Sequence, residues 1–193
     1  MPDRCSWCGS DPLYVDYHDN EWGVPESDGR KLWEQLTLEG FQSGLSWITI
    51  LRKREGFRKA FASFDPEVVA AWGETEVEVL LQDAGIVRHR GKIEATISNA
   101  RAFLDLESAG PGFAKFVWDY VDDSPKQPNV KSLSEVPGKT DLSVQMSKDL
   151  KKRGFRFCGP TTVYAFMQAA GLVNDHMVGC FRHKGIAGMM PKL

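Results

Sequence analysis

The chain has 193 residues, of which 42% are hydrophobic and 26% charged, and its formal net charge at pH 7 is −2. This composition is typical of a globular protein with one substantial core, so we expect a single domain over residues 1–193. No apolar run is long enough to cross a membrane, and MPDRCSWC has no signal-peptide core. Four cysteines are too few for a disulfide framework in such a chain, so we expect a cytoplasmic protein.

The fold is predicted to be all-α, because helical periodicity recurs and strand-like alternation is hard to find. Caps and glycines set the expected helix ends. The first expected helix runs from Asp28 to Leu38 and is stopped by Gly40, and the second begins at Ser46 with Ile48, Leu51 and Phe57 facing inward. The next begins at Asp65-Pro66, and another runs from a capping box of Thr75 and Glu78 to Gly85. Two more are expected from Arg90 to Gly110 and from Phe113 to Val121.

Residues 122–140 hold three prolines and little periodicity, which indicates a surface connection. Asp141 or Ser143 then caps a helix through Lys152. The next segment, 151–171, is predicted to be helix, tight turn and helix, in which Gly159 bends the chain and Pro160 opens the second helix.

The backbone N–H groups from Gly159 to Thr162 form a helix N-terminus that suits an anion such as a DNA phosphate. Three basic strings, at 52–59, 88–92 and 148–156, favour a surface that faces phosphates. On the glycines alone, an ordinary antiparallel helix pair is the favoured interpretation of the segment.

Metal-type ligands lie at both ends of the chain. Cys5 and His18 lie near the start, and His176 and Cys180 lie four residues apart near the finish, a spacing that places both on one helical face. Two thiols and two imidazoles form a closed tetrahedral zinc set. Spacing alone leaves two alternatives: Cys8 replaces His18, or the cysteines are free and buried.

Long ordered motifs carry a resemblance that covers the chain from Arg4 to about Cys180. The motifs are RCSWCGSDPLYVDYHDNEWGVP, LEGFQSGLSWITIL, GIVRHRGKIEATISNARAFL, RGFRFCGPTT and LVNDHMVGC. Together they resemble the bacterial 3-methyladenine DNA glycosylase I family of the helix–hairpin–helix glycosylases. The resemblance implies a two-lobed all-α fold with the hairpin near 143–171. It also implies a structural zinc bound by Cys5, His18, His176 and Cys180, which joins the two ends of the chain.

The resemblance also implies a pocket for a flipped-out base. Glu39 would accept hydrogen bonds from the base and serve as the catalytic residue, Trp47 would stack on the base, and Tyr17 would help close the pocket. Trp7, Tyr14 and Trp22 would form the aromatic wall. For each of these tryptophans the alternative is that the side chain fills the hydrophobic core. For Trp22 the sequence favours neither the pocket wall nor the core.

The turn from Gln42 to Ser46, which includes Gly44, is expected to contact DNA, with Leu45 or Gln42 as the wedge that fills the gap left by the base. Leu45 at the start of a helix is equally compatible with a core position. Gly159, Thr161 and Thr162 are the predicted backbone contacts.

Two departures from the wider superfamily shape the predicted chemistry. Pro160-Thr161-Thr162 contains no lysine, so we expect base removal by water without strand cleavage. Asn174 stands where many relatives hold an aspartate, and the neighbouring Asp175 is expected to point elsewhere.

The expected partners are double-stranded alkylated DNA and free 3-methyladenine as product, with the protein a monomer. A glycosylase with another lesion and a non-catalytic zinc-containing DNA-binding protein are the alternatives.

Overall fold

The computed structural model describes residues 3–193 of the chain, and the regular secondary structure of this part is almost entirely helical. Ten α-helices are found in it: α1 Pro12–Asn20, α2 Gly29–Gln42, α3 Trp47–Ala60, α4 Pro66–Ala70, α5 Glu74–Leu80, α6 Arg90–Ala109, α7 Gly112–Trp118, α8 Asp141–Lys152, α9 Pro160–Ala169 and α10 Phe181–Ile186. Extended pairing within 3–193 is limited to one isolated bridge between Lys126 and Val173. The prediction of an all-α fold is confirmed.

Several predicted helix starts are confirmed by their caps. Asp65 accepts hydrogen bonds from the N–H groups of Glu67 and Val68 at the start of α4. Ser46 and Gly159 occupy the N-cap positions of α3 and α9. The start of α4 follows from local chemistry, because the Asp65 side chain satisfies N–H groups that the helix itself leaves free, whereas no side-chain cap hydrogen bond forms at Ser46 or Gly159.

The predicted end of α2 was wrong. Gly40 lies inside the helix, which continues to Gln42. A Cβ at position 40 would lie 3.3 Å from the carbonyl oxygen of Phe157. The glycine therefore permits close packing of α2 on the hairpin turn and does not end the helix.

Two predicted caps were also wrong. The side chain of Glu76 accepts a hydrogen bond from the N–H of Gly73, so the cap of α5 lies two residues before the predicted box of Thr75 and Glu78. The N-cap of α8 is Thr140, with Ser143 as its reciprocal partner. In both cases the cap and its partner lie three residues apart, but the cap lies earlier in the chain than predicted.

A shared hydrophobic core lies beneath α2, α6 and α9. Its largest fully buried side chains include Trp33, Trp118 and Phe41. The segment before α2 crosses the end of α9, where the N–H groups of Gly23 and Glu26 donate to the carbonyls of Ala169 and Ala170. A Cβ at Gly171, which has a φ of +79°, would lie 2.5 Å from backbone atoms of that segment, so glycine is required there.

Residues 122–140 are less peripheral than the sequence suggested. Lys126 donates its N–H to Leu172 and accepts from Asn174, each at 2.9 Å, and the N–H of Val178 donates to the carbonyl of Val130 at 2.9 Å. Val130 is buried. The connection therefore packs along the segment that leads to the C-terminus. No helix in residues 3–193 is both long and apolar enough to span a bilayer.

Candidate active site and metal cluster

A cavity of about 260 Å³ contains the predicted base-binding residues. Its lining is mainly aromatic, with two carboxyl groups among the rings. The lining residues are Trp7, Tyr14, Tyr17, Trp22, Glu39, Gln42, Trp47, Leu133, Val136, Ala165, Gln168, Asp175 and Met177. The structure thus brings all six residues of the predicted base pocket to one cavity, together with Gln42 from the turn after α2.

The aromatic rings that line the cavity pack against one another. Trp7 lies 5.1 Å from Tyr14 and 4.9 Å from Trp22 between ring centroids, and Tyr17 lies 5.5 Å from Trp47. Side chains from the N-terminal segment and from α1 and α3 therefore form one surface. Such a wall offers π-faces to a planar, positively charged ligand.

Glu39 lies on the last turn of α2 and is 5% exposed. Its Oε1 accepts a hydrogen bond of 3.0 Å from Nε2 of Gln35, one turn earlier on the same helix. Burial raises the pKa of Glu39 to about 8, which outweighs the lowering by Gln35. The side chain is therefore mostly protonated at neutral pH in the free protein, and a cation in the cavity would favour its ionisation.

A second, more polar cavity of about 370 Å³ adjoins the other side of Tyr17. Its arginines are already paired: Arg54 with Glu21, and Arg58 with Glu34. The aromatic cavity is the better candidate site, because Glu39 there has no counter-ion.

The turn between α2 and α3 is held from inside the protein. Lys92 is buried, and its Nζ donates to the carbonyls of Phe41 and Ser43, each at 2.9 Å. Gln42 donates its side-chain N–H to the carbonyl of Leu45 at 2.7 Å, and Gly44 has a φ of +86°. Leu45 is 39% exposed, which rules out the core position considered for it. From the sequence, Lys92 was interpreted only as one charge in a basic string, and its contacts with the carbonyls at the end of α2 were missed.

The hairpin between α8 and α9 is fixed to α6. Asn99 donates to the carbonyl of Arg156 at 3.0 Å and accepts from the N–H of Arg156 at 2.7 Å. Gly159 is partly exposed, Thr161 is exposed, and Thr162 is partly exposed at the start of α9. The first turn of α9 is therefore open to solvent, as an anion-binding helix N-terminus requires.

Cys5, His18, His176 and Cys180 form a buried cluster whose ligand atoms all lie within 4.8 Å of one another. Sγ of Cys5 lies 3.5 Å from Nδ1 of His176, and Sγ of Cys180 lies 3.5 Å from Nε2 of His18. In a tetrahedron with ordinary zinc–ligand bonds, sulfur and nitrogen are about 3.6 Å apart. The donor set and its spacing therefore fit a tetrahedral metal ion.

The remaining ring nitrogens also suit a metal site. Nδ1 of His18 lies 2.8 Å from Oδ1 of Asp19, and Nε2 of His176 lies 3.0 Å from the carbonyl oxygen of Trp22. An N–H at each of these atoms leaves the other nitrogen free to bind a metal. Burial raises the pKa of the Cys5 thiol to about 12 and lowers the pKa of His176 to about 4, so a cation would be needed to stabilise the thiolate.

In this region one open alternative is excluded and one expectation is corrected. The alternative ligand Cys8 lies outside the cluster, because its thiol turns toward the carbonyls of Cys5 and Gly9. The segment HMVGC is a turn and not a helix, since α10 begins only at Phe181. The turn brings the side chains of His176 and Cys180 together, although neither residue lies in a helix.

The expectation for Asn174 and Asp175 was reversed by the structure. Asn174 donates to Oε1 of Gln127 and to the carbonyl of His183, away from the cavity lining. Asp175, expected to point elsewhere, lines the cavity. A helical register predicted otherwise, but the chain is irregular here and follows residues 126–130.

An all-helical fold with a helix–hairpin–helix beside an aromatic cavity is the architecture of a class of DNA glycosylases. A family model described as methyladenine glycosylase matches residues 7–183. The chain therefore belongs to the methyladenine glycosylase family.

Individual relatives agree with this assignment. DNA-3-methyladenine glycosylase 1 of Escherichia coli is 57% identical over 183 residues, which cover 95% of this chain and 98% of that protein. A crystal structure of 3-methyladenine DNA glycosylase I has a TM-score of 0.91 at 58% identity and covers 93% of this chain and 98% of its own. The Staphylococcus aureus enzyme, solved to explain its recognition of 3-methyladenine, has a TM-score of 0.90 at 41% identity and covers 92% and 95%.

The buried carboxyl of Glu39 predicts a pH-dependent stability. Its pKa is raised on folding, so the folded state holds this proton more tightly than the unfolded state and loses that advantage as pH rises from about 4.5 to about 8. Glu39→Gln should flatten this decline, which reaches at most about 1.4 kcal/mol per pH unit for one proton. Denaturant unfolding at several pH values measures it. The exposed Glu67→Gln is the control, and equal slopes for Glu39→Gln and wild type would contradict the assignment.

Proposed function

We propose that this protein is a monofunctional DNA glycosylase that flips 3-methyladenine out of alkylated double-stranded DNA and hydrolyses its N-glycosidic bond. The observation that carries the proposal is Glu39, a carboxyl group without a counter-ion, buried in an aromatic cavity. The family to which the chain belongs and the names of its relatives support the same substrate.

Recognition in this proposal depends on charge and shape. Methylation at N3 makes the adenine of the nucleotide cationic, so it is attracted to the faces of Trp47 and Tyr17. Glu39 accepts hydrogen bonds from the edge of the base, and the positive charge of the base favours ionisation of the carboxyl. Trp7, Tyr14 and Trp22 complete the wall. An unmodified adenine carries no positive charge, so it gains neither the attraction to the aromatic faces nor the attraction to the Glu39 carboxylate. The site therefore selects against it.

The chemistry needs little help from an acid. A base methylated at N3 leaves as a neutral molecule, so the leaving group requires no proton. The first turn of α9 is Pro160-Thr161-Thr162, which offers no amine to attack the sugar. Water is therefore the nucleophile, and no strand cleavage follows.

DNA binding is assigned to two turns. The open start of α9, with Gly159, Thr161 and Thr162, receives a backbone phosphate. The turn from Gln42 to Ser46, with Gly44 at positive φ, places Leu45 in the space that the flipped nucleotide leaves. Lys92 supports this turn through two carbonyl groups, so the wedge is rigid when it meets DNA.

The metal assigned to the cluster is zinc, with a structural role. Cys5, His18, His176 and Cys180 would occupy all four positions of a tetrahedral ion, which leaves none for a reacting water. When bound, the ion supplies cross-linking energy and no catalytic step. Its contribution to the site is to hold α1, with Tyr17, beside the segment that carries Asp175.

Methylated duplex DNA tests the proposed function. Purified protein should release 3-methyladenine, identified by mass, and leave the strand uncut until alkali is added. Glu39→Gln should reduce single-turnover release by at least roughly 100-fold, because it removes the charge that favours the cationic base. Release at the wild-type rate with unchanged affinity for the free base would contradict the role of Glu39.

The same assay separates the alternatives. Release of a different base from a panel of damaged duplexes would indicate another lesion specificity. Salt-dependent binding of duplex without release of any base would indicate a non-catalytic DNA-binding protein. A monomeric state, a single domain over 1–193 and a cytoplasmic location stay predictions.

Leu45→Ala tests the wedge. We expect weaker binding to a duplex with an abasic site, by roughly tenfold, with little change in thermal stability, because the side chain is exposed in the free protein. Val79→Ala, an exposed change on α5, is the matched control. Titration of labelled duplex and thermal unfolding measure the two effects, and unchanged affinity for Leu45→Ala would rule out the wedge.

Cys180→Ser tests the metal cluster. We expect the variant to lose one equivalent of zinc and to unfold at a lower temperature, because an incomplete ligand set no longer joins the two ends. Cys8→Ser, a change at a buried cysteine outside the cluster, should keep its zinc. Elemental analysis and thermal unfolding measure both variants. If chelation removes zinc but leaves folding and base release intact, the structural role is wrong.

A further inference from the structure

Two of the three basic strings meet on one face of the protein. The ring of His89, at the start of α6, lies 6.0 Å from the ring of Phe157 in the turn between α8 and α9. Asn99 of α6 exchanges two hydrogen bonds with the backbone of Arg156 in the same turn. Arg88 directly precedes His89, and Arg156 directly precedes Phe157, so the two arginines flank the contact between the rings.

The cations of this face are free to bind an anion. Arg88, Lys151 and Arg156 are exposed, and none of them forms an ion pair with a residue of 3–193. The two segments that build the face, 84–93 and 150–165, contain no acidic residue. Positive charge without local neutralisation attracts a polyanion such as the DNA backbone.

The third basic string, 52–59, does not share this property. Its three arginines form ion pairs, which are Arg52 with Asp11, Arg54 with Glu21, and Arg58 with Glu34. The sequence favoured all three strings as surfaces that face phosphates, but the structure leaves unpaired arginines only in the other two, within the part of the chain that it describes.

Phe157 has an unusual backbone conformation for a bulky residue. Its φ is +53°, in the left-handed region that such side chains rarely adopt. Gly91 leaves room for the ring, because a Cβ at position 91 would lie 3.6 Å from it. The residue is nevertheless 39% exposed. Strained residues are concentrated at functional sites, and an exposed ring between two arginines suits the apolar sugars of a nucleic-acid backbone.

The face is continuous with the turn that carries Leu45. Lys92 of α6 donates to the carbonyls of Phe41 and Ser43 at the start of that turn. A Cβ at Gly40 would lie 3.5 Å from the Cβ of Phe157, so the end of α2 packs directly on the hairpin. A duplex that receives Leu45 in its base stack therefore has its backbone beside Phe157.

We propose that Arg88, Phe157 and Arg156 form a surface that binds the DNA backbone next to the flipped nucleotide. The two guanidinium groups contact phosphates, and the ring packs on a sugar. This inference rests on the proposed glycosylase function and adds a side-chain contact to that of the N–H groups at the start of α9. Contacts of this kind position the duplex and read no bases.

Arg88→Gln and Arg156→Gln test the phosphate contacts. Each variant should bind a labelled duplex with one abasic site more weakly than wild type. Each should also reduce the slope of log affinity against log salt concentration by about 0.9, as expected for the loss of one phosphate contact. Binding titrations at four or more salt concentrations measure this slope, and thermal unfolding shows whether the variants are folded.

Lys59→Gln is the matched control for charge. Lys59 is also exposed and has no ion pair among residues 3–193, but it lies roughly 18 Å along α3 from the turn that carries Leu45. Its slope should equal that of wild type. Wild-type slopes for both arginine variants would overturn the proposal, and so would an equal loss of slope in Lys59→Gln.

Phe157→Gly tests the ring without adding backbone strain, because glycine adopts a positive φ freely. We expect roughly tenfold weaker binding of the abasic duplex. Affinity for free 3-methyladenine should stay at the wild-type value, since Phe157 does not line the aromatic cavity. Phe157→Tyr keeps the ring and should retain the affinity for duplex.

The remaining outcomes separate this surface from other roles. Wild-type affinity of Phe157→Gly for duplex would overturn the contact of the ring, and equal losses for duplex and free base would make Phe157 a support of the pocket. If Phe157→Gly shows no cooperative unfolding, the slopes of the arginine variants decide. Absence of base release by the wild-type protein would contradict the proposed function, whereas the slopes are measured on binding alone and test this surface separately.

Discussion

The contact between the two ends of the chain is the constraint on which the site depends. Cys5 and His18 meet His176 and Cys180 in one buried cluster, and the N–H of Phe181 donates to the carbonyl of Asp3 at 3.0 Å beside it. The cavity is built from the same two segments, because α1 supplies Tyr14 and Tyr17, and the C-terminal segment supplies Asp175 and Met177. The contact between the ends therefore helps to set the separation of the two walls, together with the hydrogen bonds from Gly23 and Glu26 to the end of α9. Trp22 links the two regions directly, with its ring 4.6 Å from that of His176.

Three buried ionisable side chains lie at the cavity or its adjoining turn, and each is accommodated differently. Lys92 donates to two carbonyls at the end of α2, where the helix leaves acceptors free, although burial lowers its pKa. Glu39 is accommodated by retaining its proton. Asp175 has one oxygen satisfied by α9 and one left without a partner.

The misassigned segments share a physical cause. Gly40 and HMVGC were assigned by local rules, in which glycine stops a helix and residues four apart share its face. In the structure, Gly40 is a site of close approach by Phe157, and HMVGC is a turn held by contacts with residues 126–130 and by the cluster. Residues 122–140 had no evident role in the sequence, yet they supply Leu133 and Val136 to the cavity. At Gly40, HMVGC and residues 122–140, a partner distant in the chain decides the local conformation.

The sequence by itself determined the all-helical class, most helix starts, the four cluster ligands through family resemblance, and the residues of the aromatic wall. These follow from periodicity, caps and long ordered motifs, which are local or recognisable along the chain. Only the tertiary structure decided which of Asn174 and Asp175 faces the cavity and that Lys92 supports the turn from Gln42 to Ser46. The physical reason is that the direction of a side chain in an irregular segment is set by hydrogen bonds to distant residues, and no local pattern records those bonds.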